Sequence, residues 1–567
     1  MRDAPAKYPP RERWRMQVSS AVVDRLAESG IEAVFGIPGK QTLPLNEAID
    51  GRDDVRFVMA RHETAVTHQA WGYAETSGKT AATVVVPGPG DMNAMNGLKN
   101  ARNDCTPLVH LAVETEPEIR GGEGIHETPP ETYDTVVKEN VLVERPEGTV
   151  AALAEAIAIA ETPPKGPVRV GIPKNFLKRD VALAAAPEYP REGPTGVPDE
   201  SVSAAVELLA GASDPVVIAG GGVRASGASE ELEAVATRLD APVVTTYKGK
   251  GVLPEDHPLS AGALSGSAPP ALLELLAEAD AALAVGTNFD AVATRAWSVD
   301  VPDDLVHVTL DPDDLGTGYG PAVSVLADAD EALSAIDGAL GDRGVEAPSS
   351  ADATPGAERA RAVRRDFDER VDELRVDGAP LTSVAALETV REALSRDTVV
   401  AADAGGFRVW GLNAFAAYGP RSYVNPGSWA TMGTGLPSGI GAQVANPDAD
   451  VAVLTGDGGL MMCVHELHTA VAEELPITVV AFRNEDYAII SEEAERSYAL
   501  SERAYGWADA PIDFVALAES LGMRAVRAAD ASAVAEAVAE AVAADEPVLV
   551  EVPTDPREPQ ASEWLTE

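Results

Sequence analysis

The chain has 567 residues, enough for three or four domains of about 150 residues each, and 45% of them are hydrophobic, which indicates a soluble globular protein. Its 91 acidic residues exceed its 44 basic ones, and the net charge of −47 excludes a general nucleic-acid binder and disfavours an anionic membrane surface. Because the acids are spread along the chain, their excess is typical of a protein adapted to high salt, where a Debye length of about 3 Å at 1 M suppresses self-repulsion. An ordinary acidic enzyme is the alternative.

The N-terminal segment lacks the apolar core of a signal peptide. It runs MRDAPAKYPPRERWRM and mixes proline with charge. No apolar run approaches the roughly 20 residues of a membrane span. The two cysteines, Cys105 and Cys463, allow no disulfide framework. We therefore predict a cytoplasmic protein.

Three blocks of the chain alternate short apolar runs with longer stretches rich in Ala, Leu and Glu. The runs are IEAVFGI, AATVVVPG and PLVHLAV, then PVVIAGGG, APVVTTY, AALAVG and LVHVTL, then DTVVAAD, VAVLTGDGG, ITVVAFR and PVLVEV. Near-continuous apolar strands between helix-like segments predict parallel sheets covered on both faces. Breaker-rich linkers are predicted at 188–200 and from Gly341 through APSSADATPGAERARA. The predicted fold is α/β, with three doubly wound parallel-sheet domains at 1–187, 198–340 and 375–567.

Within the third block, two polar residues are predicted to follow neighbouring strands. VAVLT is a strand, Gly456–Gly459 (GDGG) is the turn after it, LMMCVHELHTAVAEEL is a helix that Pro476 ends, and ITVVAFR is a strand that ends at Asn484. One right-handed βαβ unit therefore places Asp457 and Asn484 at the carboxyl edge of the sheet, where such sheets bind ligands. A carboxylate and an amide carbonyl suit Mg²⁺ with phosphate oxygens in its shell, and the amides that begin the helix favour a diphosphate. By itself, Gly-Asp-Gly is also a common turn.

This strand, turn, helix and strand pattern resembles the thiamine-diphosphate fingerprint of the acetolactate synthase and pyruvate decarboxylase superfamily. The resemblance implies that Asp457, Asn484 and the main chain of Asp486 hold Mg²⁺, with Arg483 where many members carry a second Asn. It further implies that the segment from Arg61, RHETAVTHQAWGYAETSGKTAATVVVPGPGDMN, belongs to a pyrimidine-binding domain. The middle block then corresponds to a central Rossmann-like domain and the third to a diphosphate-binding domain.

The same resemblance implies roles for residues in the first and third domains. Glu63 falls on the glutamate that contacts the aminopyrimidine and keeps its ring nitrogen protonated, so that the 4′-imino group becomes basic. Met432 falls on the bulky apolar residue that bends the cofactor. From the residues alone, Glu63 could equally be a solvated acid at a helix start. The other residues implied to bind the cofactor are Gly88, Pro89, Gly90, Asn93, Asp403, Gly405, Thr431, Gly456, Gly458 and Gly459.

On the substrate side, two residues are candidates for catalysis. Lys40, in GIPGK, could pair with the carboxylate of a 2-oxo acid, and His126, in GGEGIHETPP, could relay a proton. A surface lysine and a flexible surface loop are the alternatives. His62, next to Glu63, could lie behind the residues that contact the cofactor. Two histidines such as His465 and His468, in HELH, more often pack in a core or line an interface than bind metal.

Several positions depart from the resemblance. Where acetolactate synthases carry an Arg and a Trp that handle the acceptor, this chain has Ser491 and Glu493, and Gly406 and Phe407 replace a Gln-His pair. Gly220–Gly222 follow a predicted strand and could bind a nucleotide such as FAD or ADP. We favour the alternative, a central domain that binds no nucleotide.

These observations together predict a thiamine-diphosphate enzyme, a transferase that decarboxylates a small 2-oxo acid and joins the remainder to a second carbonyl compound. A simple 2-oxo acid decarboxylase and an FAD-dependent oxidase are the alternatives within the superfamily, and a scaffold without turnover is the alternative outside it. In the family the cofactor bridges the first domain of one subunit and the third of another, which implies a homodimer or homotetramer. No nucleic-acid or membrane partner is expected.

Overall fold

The computed structural model describes residues 15–182, 189, 196–498, 500–501 and 503–565. The chain falls into two compact units, 1–74 with 79–191, and 75–78 with 192–567. The N-terminal segment at 1–14 and most of the predicted linker at 188–200 lie outside the described residues. Among the residues that are described, no helix is long and apolar enough to cross a membrane.

The first unit contains a six-stranded parallel sheet in the order β3-β2-β4-β5-β7-β6 and an antiparallel pair, β1 and β8. Its elements are β1 (Arg15–Gln17), α1 (Val18–Glu28), β2 (Ala33–Gly36), α2 (Leu43–Ile49), β3 (Arg56–Met59), α3 (Glu63–Ser77), β4 (Ala81–Val85), α4 (Pro89–Asn103), β5 (Leu108–Glu114), β6 (Glu139–Leu142), α5 (Thr149–Glu161), β7 (Val168–Pro173) and β8 (Asp180–Ala182).

The second unit begins with another six-stranded parallel sheet, in the order β11-β10-β9-β12-β13-β14. Its elements are α6 (Asp199–Gly211), β9 (Pro215–Ala219), α7 (Gly221–Ser226), α8 (Ser229–Leu239), β10 (Val243–Thr246), β11 (Ser260–Leu264), α9 (Pro270–Glu278), β12 (Ala281–Val285), β13 (Leu305–Thr309), β14 (Val323–Leu326), α10 (Ala329–Asp342) and α11 (Pro355–Val371).

A third six-stranded parallel sheet follows in the same unit, in the order β16-β15-β17-β18-β20-β19. Its elements are α12 (Ser383–Ala393), β15 (Val399–Ala402), α13 (Gly406–Ala414), β16 (Tyr423–Val424), α14 (Gly435–Ala445), β17 (Val451–Gly456), α15 (Asp457–Cys463), α16 (Glu466–Ala472), β18 (Ile477–Arg483), α17 (Ala488–Tyr498), α18 (Phe514–Ser520), β19 (Arg524–Arg527), α19 (Ala531–Val542), β20 (Val548–Pro553) and α20 (Ala561–Trp564).

Alternate residues of one strand enter two different cores, which is why the central strands are apolar throughout. In β17, Ala452 and Leu454 pack into one cluster, whereas Val451 and Val453 pack into another. Successive strand side chains point to opposite faces, so helices must cover both faces of the sheet. The prediction of three doubly wound parallel-sheet domains is confirmed.

Two local predictions were wrong. The second predicted linker contains α11, because Thr354 caps its N-terminus by accepting from Ala357 N–H and Pro355 occupies its first turn. Ala357, Ala360 and Val363 bury its inner face against the central domain. The helix predicted after Gly459 is two short helices, α15 and α16, and the first already begins at Asp457.

The strand orders locate the ligand-binding edge of each sheet. In the third sheet, the strand that follows β15 is added on one side and the strand that follows β17 on the other, so the order in which the chain adds its parallel strands reverses between β15 and β17. Such a reversal opens a crevice at the carboxyl ends of the two strands. Asp403 follows β15 and Asp457 follows β17. The same reversal occurs between β2 and β4 in the first sheet.

Candidate functional site

Asp457 and Asn484 follow β17 and β18, which are paired neighbours with Gly456 opposite Phe482. The loop after β18 contacts the Asp457 carboxylate directly, because Glu485 N–H donates to its Oδ2 at 2.7 Å. Gly458 N–H donates to its Oδ1 at 2.9 Å. The carboxylate is therefore held by the turn that carries it and by the loop of the neighbouring strand.

Burial dominates the electrostatics of Asp457. Its side chain is almost fully buried, and this burial raises its pKa to about 6, although backbone N–H groups and Arg483 act in the opposite direction. The backbone N–H groups of Gly458, Asn484 and Glu485 occupy at most three of the four lone pairs of the carboxylate, so a lone pair is left for a further ligand. A buried carboxylate whose charge is poorly compensated and that still has a free lone pair suits an added cation.

The loop that follows Asn484 is tightly constrained. Asp486 N–H donates to Asn484 Oδ1 at 3.1 Å, and the Asp486 carboxylate accepts from Ser491 Oγ at 2.5 Å and Arg503 Nε at 3.3 Å. Arg503 also donates to the Asn484 carbonyl at 2.8 Å. Glu485 has φ +59°, a conformation that non-glycine residues rarely adopt. The contacts on either side of Glu485 over-determine its backbone.

The donors at this edge are oxygen atoms. Within the part of the chain that the structure describes, no group of three or more His, Cys, Asp and Glu side chains could hold a metal. Oxygen atoms of Asp457, of the Asn484 amide and of nearby main-chain carbonyls would be available to a cation at this edge. An all-oxygen set of this kind fits Mg²⁺ and not a softer metal.

Asp403 joins the segment after β15 to two other segments of the third domain. Its fully buried carboxylate accepts from Ala404 N–H at 2.8 Å, Gly433 N–H at 2.9 Å, Thr434 N–H at 3.1 Å and Thr455 Oγ1 at 2.9 Å. Burial raises its pKa to about 6 despite these donors. The carboxylate therefore fixes the loop next to Met432 from inside the protein.

Glycines allow the turn at 456–459 to pack against that loop. A Cβ on Gly458 would lie 2.7 Å from Tyr487 Cε1 and 3.2 Å from Met432 Cε, and one on Gly459 would lie 2.5 Å from Asp403 Oδ2. Gly433, next to Met432, has φ +81°. Thr431, beside Met432 on its other side, accepts from Thr434 Oγ1 through its carbonyl at 2.8 Å.

The segment from Gly405 to Phe407 reaches the same edge. A Cβ on Gly456 would lie 3.7 Å from the Phe407 ring, and one on Gly406 would lie 3.6 Å from both Ile489 Cγ1 and Gln560 Oε1. Gly405 itself is extended, with φ 161°, and caps α13. Gln560 was not predicted from the sequence, and no motif there points to it.

In the first unit, Glu63 begins α3 and contacts α4. Asn93 Nδ2 donates to Glu63 Oε2 at 3.1 Å, and a Cβ on Gly90 would lie 3.2 Å from Glu63 Oε1. Pro89 is the first residue of α4, with Gly88 as its N-cap. Glu63 is partly exposed at this carboxyl edge. The arrangement leaves its carboxylate oriented by one amide and accessible from outside.

The loops that carry Lys40 and His126 meet the Gly88 loop. Gly88 has φ +62°, and a Cβ there would lie 2.5 Å from the His126 carbonyl oxygen. Lys40 is exposed beside Gly39, whose Cβ would lie 2.2 Å from Val86 Cγ1. The His126 side chain is also exposed. Both residues therefore lie at the same edge of the first sheet as Glu63.

Family comparisons match all three domains. The family model described as "Thiamine pyrophosphate enzyme, N-terminal TPP binding domain" matches residues 16–136, that of the central domain matches 202–336, and that of the C-terminal TPP binding domain matches 403–552. A probable acetolactate synthase large subunit of Methanococcus aeolicus is 30% identical over 555 residues, 95% of this chain and 92% of that protein. The chain belongs to the thiamine pyrophosphate enzyme family.

Two further relatives show the breadth of similarity within this thiamine pyrophosphate family. The acetolactate synthase large subunit of Corynebacterium glutamicum is 29% identical over 528 residues, 92% of this chain and 84% of that protein. The probable 2-ketoarginine decarboxylase AruI of Pseudomonas aeruginosa is 35% identical over 518 residues, 87% of this chain and 89% of that protein. The chain is a thiamine-pyrophosphate-dependent enzyme of the carboligase and decarboxylase group.

Some residues of the thiamine pyrophosphate enzyme's site were missed at the sequence level. Glu485, in the loop after β18, donates its backbone N–H to Asp457, and Arg503 Nη2 donates to the backbone carbonyl of Asn484. Thr455 Oγ1 donates to Asp403 from within a strand. Backbone contacts leave no signature in residue type. Ser491, which we considered for its position in the acceptor site, is buried and bonded to Asp486.

Proposed function

We propose that the protein uses thiamine diphosphate and Mg²⁺ to decarboxylate a small 2-oxo acid and to join the remaining fragment to a second carbonyl compound. The observation that carries this proposal is the contact between Glu485 N–H and Asp457, which unites the GDGG turn with the Asn484 loop around a poorly compensated carboxylate. The relatives named acetolactate synthase, matched along most of their length, support the same chemistry.

Named residues would hold each end of the cofactor. Asp457, Asn484 and the Asp486 main-chain carbonyl would ligate Mg²⁺. The backbone of Gly458 and Gly459, whose lack of side chains lets this turn pack against Tyr487 and Asp403, would hold the diphosphate. When bound, the cofactor supplies a nucleophilic thiazolium carbon and accepts the electron pair that a 2-oxo acid leaves behind when it loses CO₂. Glu63, oriented by Asn93, would hold a proton on the pyrimidine ring nitrogen.

Met432 and two exposed residues complete the proposed site. The Met432 side chain, which lies against the Gly458 turn, would hold the cofactor in its bent form. The ammonium group of Lys40 would pair with the substrate carboxylate, and the imidazole of His126 would pass a proton. Both side chains are exposed at the edge that carries Glu63, which supports these roles.

A panel of 2-oxo acids tests the function. With thiamine diphosphate and Mg²⁺ in molar salt, we expect CO₂ release from pyruvate and a condensed product on separation. Glu63→Gln should lower kcat by about 100-fold or more, since general acid–base groups contribute roughly 10²–10⁴-fold, and should leave cofactor binding nearly intact. Glu47→Gln, an exposed position on α2, is the matched control. Consumption of no 2-oxo acid, or full activity of Glu63→Gln, would contradict the proposal.

A simple decarboxylase is the second candidate function, and one observation favours it. Ser491 is committed to Asp486, and Glu493 pairs with Arg496, so neither position offers the Arg and Trp expected for an acceptor 2-oxo acid. The relative named 2-ketoarginine decarboxylase supports the same conclusion. The panel should therefore include 2-ketoarginine, and release of CO₂ with an aldehyde as sole product would favour this candidate.

We also propose that the central domain works without FAD. A Cβ on Gly220 would lie 2.2 Å from the Gly286 carbonyl oxygen, and Gly222 N–H donates to that oxygen at 2.8 Å. These two glycines therefore serve close packing of the chain's own backbone. Flavin absorbance in the purified protein would contradict this proposal and favour the oxidase alternative.

The proposed working form is a homodimer or homotetramer. Large apolar side chains are exposed around the Asp457 edge of the third domain, a pattern typical of a surface that another chain covers. They are Met461, Met462, Tyr487, Ile489, Ile490, Tyr498 and Tyr505. The mass of the assembly in solution tests this proposal.

A further inference from the structure

Arg483 lies between two carboxylates at the end of β18. Its Nη1 pairs with Glu485 Oε1, and its Nε lies 2.6 Å from Oε1 of Glu551. Its side chain is mostly buried, and Glu551 is completely buried on β20. The Arg483 guanidinium therefore forms an ion pair with a buried carboxylate on one side and with Glu485 on the other.

Glu551 has a second cation of its own. Arg527, opposite it on β19, donates from Nε to Glu551 Oε1 at 2.8 Å and from Nη2 to Oε2 at 3.2 Å. The pairing of Arg527 with Glu551 therefore survives without Arg483. Among the residues that the structure describes, Arg483 is the one cation that pairs with the Glu485 carboxylate.

Glu485 is the residue that connects this ion network to the metal edge. It is held at φ +59°, and in that conformation its N–H donates to Asp457 Oδ2 at 2.7 Å while its carbonyl accepts from Trp507 N–H at 2.8 Å. Its side chain turns back to Arg483. The left-handed backbone, which costs free energy in a residue with a side chain, is thus secured by an ion pair at its own carboxylate.

We propose that Arg483 is a positioning residue for the metal site: by tying Glu485 to the buried Glu551, it presents the Glu485 N–H to Asp457 and fixes the carboxylate that would bind Mg²⁺. This inference rests on the proposed function. It assigns a role to the residue that stands where many family members carry a second Asn.

Calorimetric titration of Mg²⁺ into the full-length protein saturated with thiamine diphosphate tests the inference. Partners that orient metal ligands typically contribute 10- to 100-fold in metal affinity. We expect Arg483→Met, which keeps the aliphatic stem and loses the guanidinium, to weaken Mg²⁺ binding by about 10-fold or more. The Mg²⁺ affinity of Arg483→Lys should lie between those of Arg483→Met and the wild type, because an ammonium group keeps the charge but cannot contact both carboxylates.

Arg527→Met is the matched control, because it removes the other cation from Glu551 and leaves Glu485 untouched. It should lower the thermal stability by at least as much as Arg483→Met while leaving Mg²⁺ affinity near that of the wild type. Equal Mg²⁺ affinity in Arg483→Met and wild type, or an equal loss in both methionine variants, would overturn the inference and leave the proposed function standing. A wild-type protein that binds no Mg²⁺ with thiamine diphosphate would overturn both.

Discussion

The Asp403 carboxylate is where three segments of the third domain meet. It accepts from Ala404 after β15, from Gly433 and Thr434 behind Met432, and from Thr455 at the end of β17. These donors are all protein groups, and the Asp403 side chain is fully buried. We therefore expect this residue to act on the cofactor through the loops that it holds.

Asp403→Asn tests that role while preserving the volume of the side chain. The amide nitrogen would face one group of N–H donors, leaving buried donors without an acceptor, which costs about 1–3 kcal/mol. We expect a lower free energy of unfolding in urea and weaker binding of thiamine diphosphate by calorimetry. Both effects follow from a displaced Met432 loop.

Thr455→Val is the control for this substitution. It removes one hydroxyl donor and keeps three backbone donors on the carboxylate. It should lose less stability than Asp403→Asn and retain most of the cofactor affinity. Cofactor binding by Asp403→Asn that matches the wild type would show that the carboxylate has no positioning role.

The sequence could place Asp457 and Asn484 but not the contacts of Asp403. The first two directly follow apolar runs that mark buried strands, so the topology of one βαβ unit is enough to bring them to one edge. Gly433 and Thr455 are 30 and 52 residues from Asp403. Only the folded domain brings such distant donors to one carboxylate.

Among the elements, interior strands were easier to predict than edge strands. β17 and β18 are buried along most of their length, and their near-continuous Val, Ile and Ala pattern is visible in the sequence. β19, with the sequence RAVR, is mostly exposed, and β3, with RFVM, is half exposed; both strands carry charge. Edge strands need fewer apolar residues because they lack a neighbour on one side, so they resemble loops in the sequence.

The segment after β20 is fastened to the start of α12. Glu558 accepts from both the N–H and the Oγ of Ser383, and Asp555 N–H donates to the Leu381 carbonyl at 2.8 Å. Burial raises the pKa of Glu558 to about 7, with Asp555 raising it further and the Ser383 donors lowering it. This is the segment that brings Gln560 to Gly406.

The attachment of this segment should respond to pH near neutrality. Because the pKa of Glu558 is higher in the folded state than the value of about 4.3 in an unfolded chain, the native state binds the proton more tightly. Its contribution to stability is therefore full below about pH 4 and is lost as the pH rises through about 7. Glu558→Gln, which stays neutral, should melt close to the wild type at pH 5 and a few degrees higher than the wild type at pH 8.

Thermal unfolding at constant salt across this pH range measures the effect. Glu536→Gln removes a charge at an exposed position of α19 and serves as the control. Its difference from the wild type should stay flat with pH. A flat difference for Glu558→Gln as well would contradict the assigned role of burial.

At the scale of the whole molecule, some of the 44 basic side chains form ion pairs in the interior, although acidic residues outnumber them. Arg169 is buried against Asp91 at 2.6 Å and also contacts Glu114, and the buried Lys250 lies 2.6 Å from Glu255. Lys250 and Glu255 form a neutral pair, whereas the one guanidinium of Arg169 faces the two carboxylates of Asp91 and Glu114. Cations paired in the interior cannot offset acidic residues at the surface, so with a net charge of −47 the exposed side chains repel one another at low ionic strength.

We therefore expect the melting temperature and the assembly mass to fall as sodium chloride is diluted from about 2 M to about 0.1 M, over which the Debye length lengthens roughly fourfold. Differential scanning calorimetry and light scattering at each concentration measure the two quantities. Sucrose, which favours burial without screening charge, is the control solute. Added at low salt, it should raise the melting temperature and the assembly mass less than sodium chloride does. Replacing the exposed Glu536 and Glu540 by Lys should shift the loss to lower salt, because less repulsion remains to be screened. Melting that is independent of salt over this range would rule out charge repulsion as the factor that sets stability.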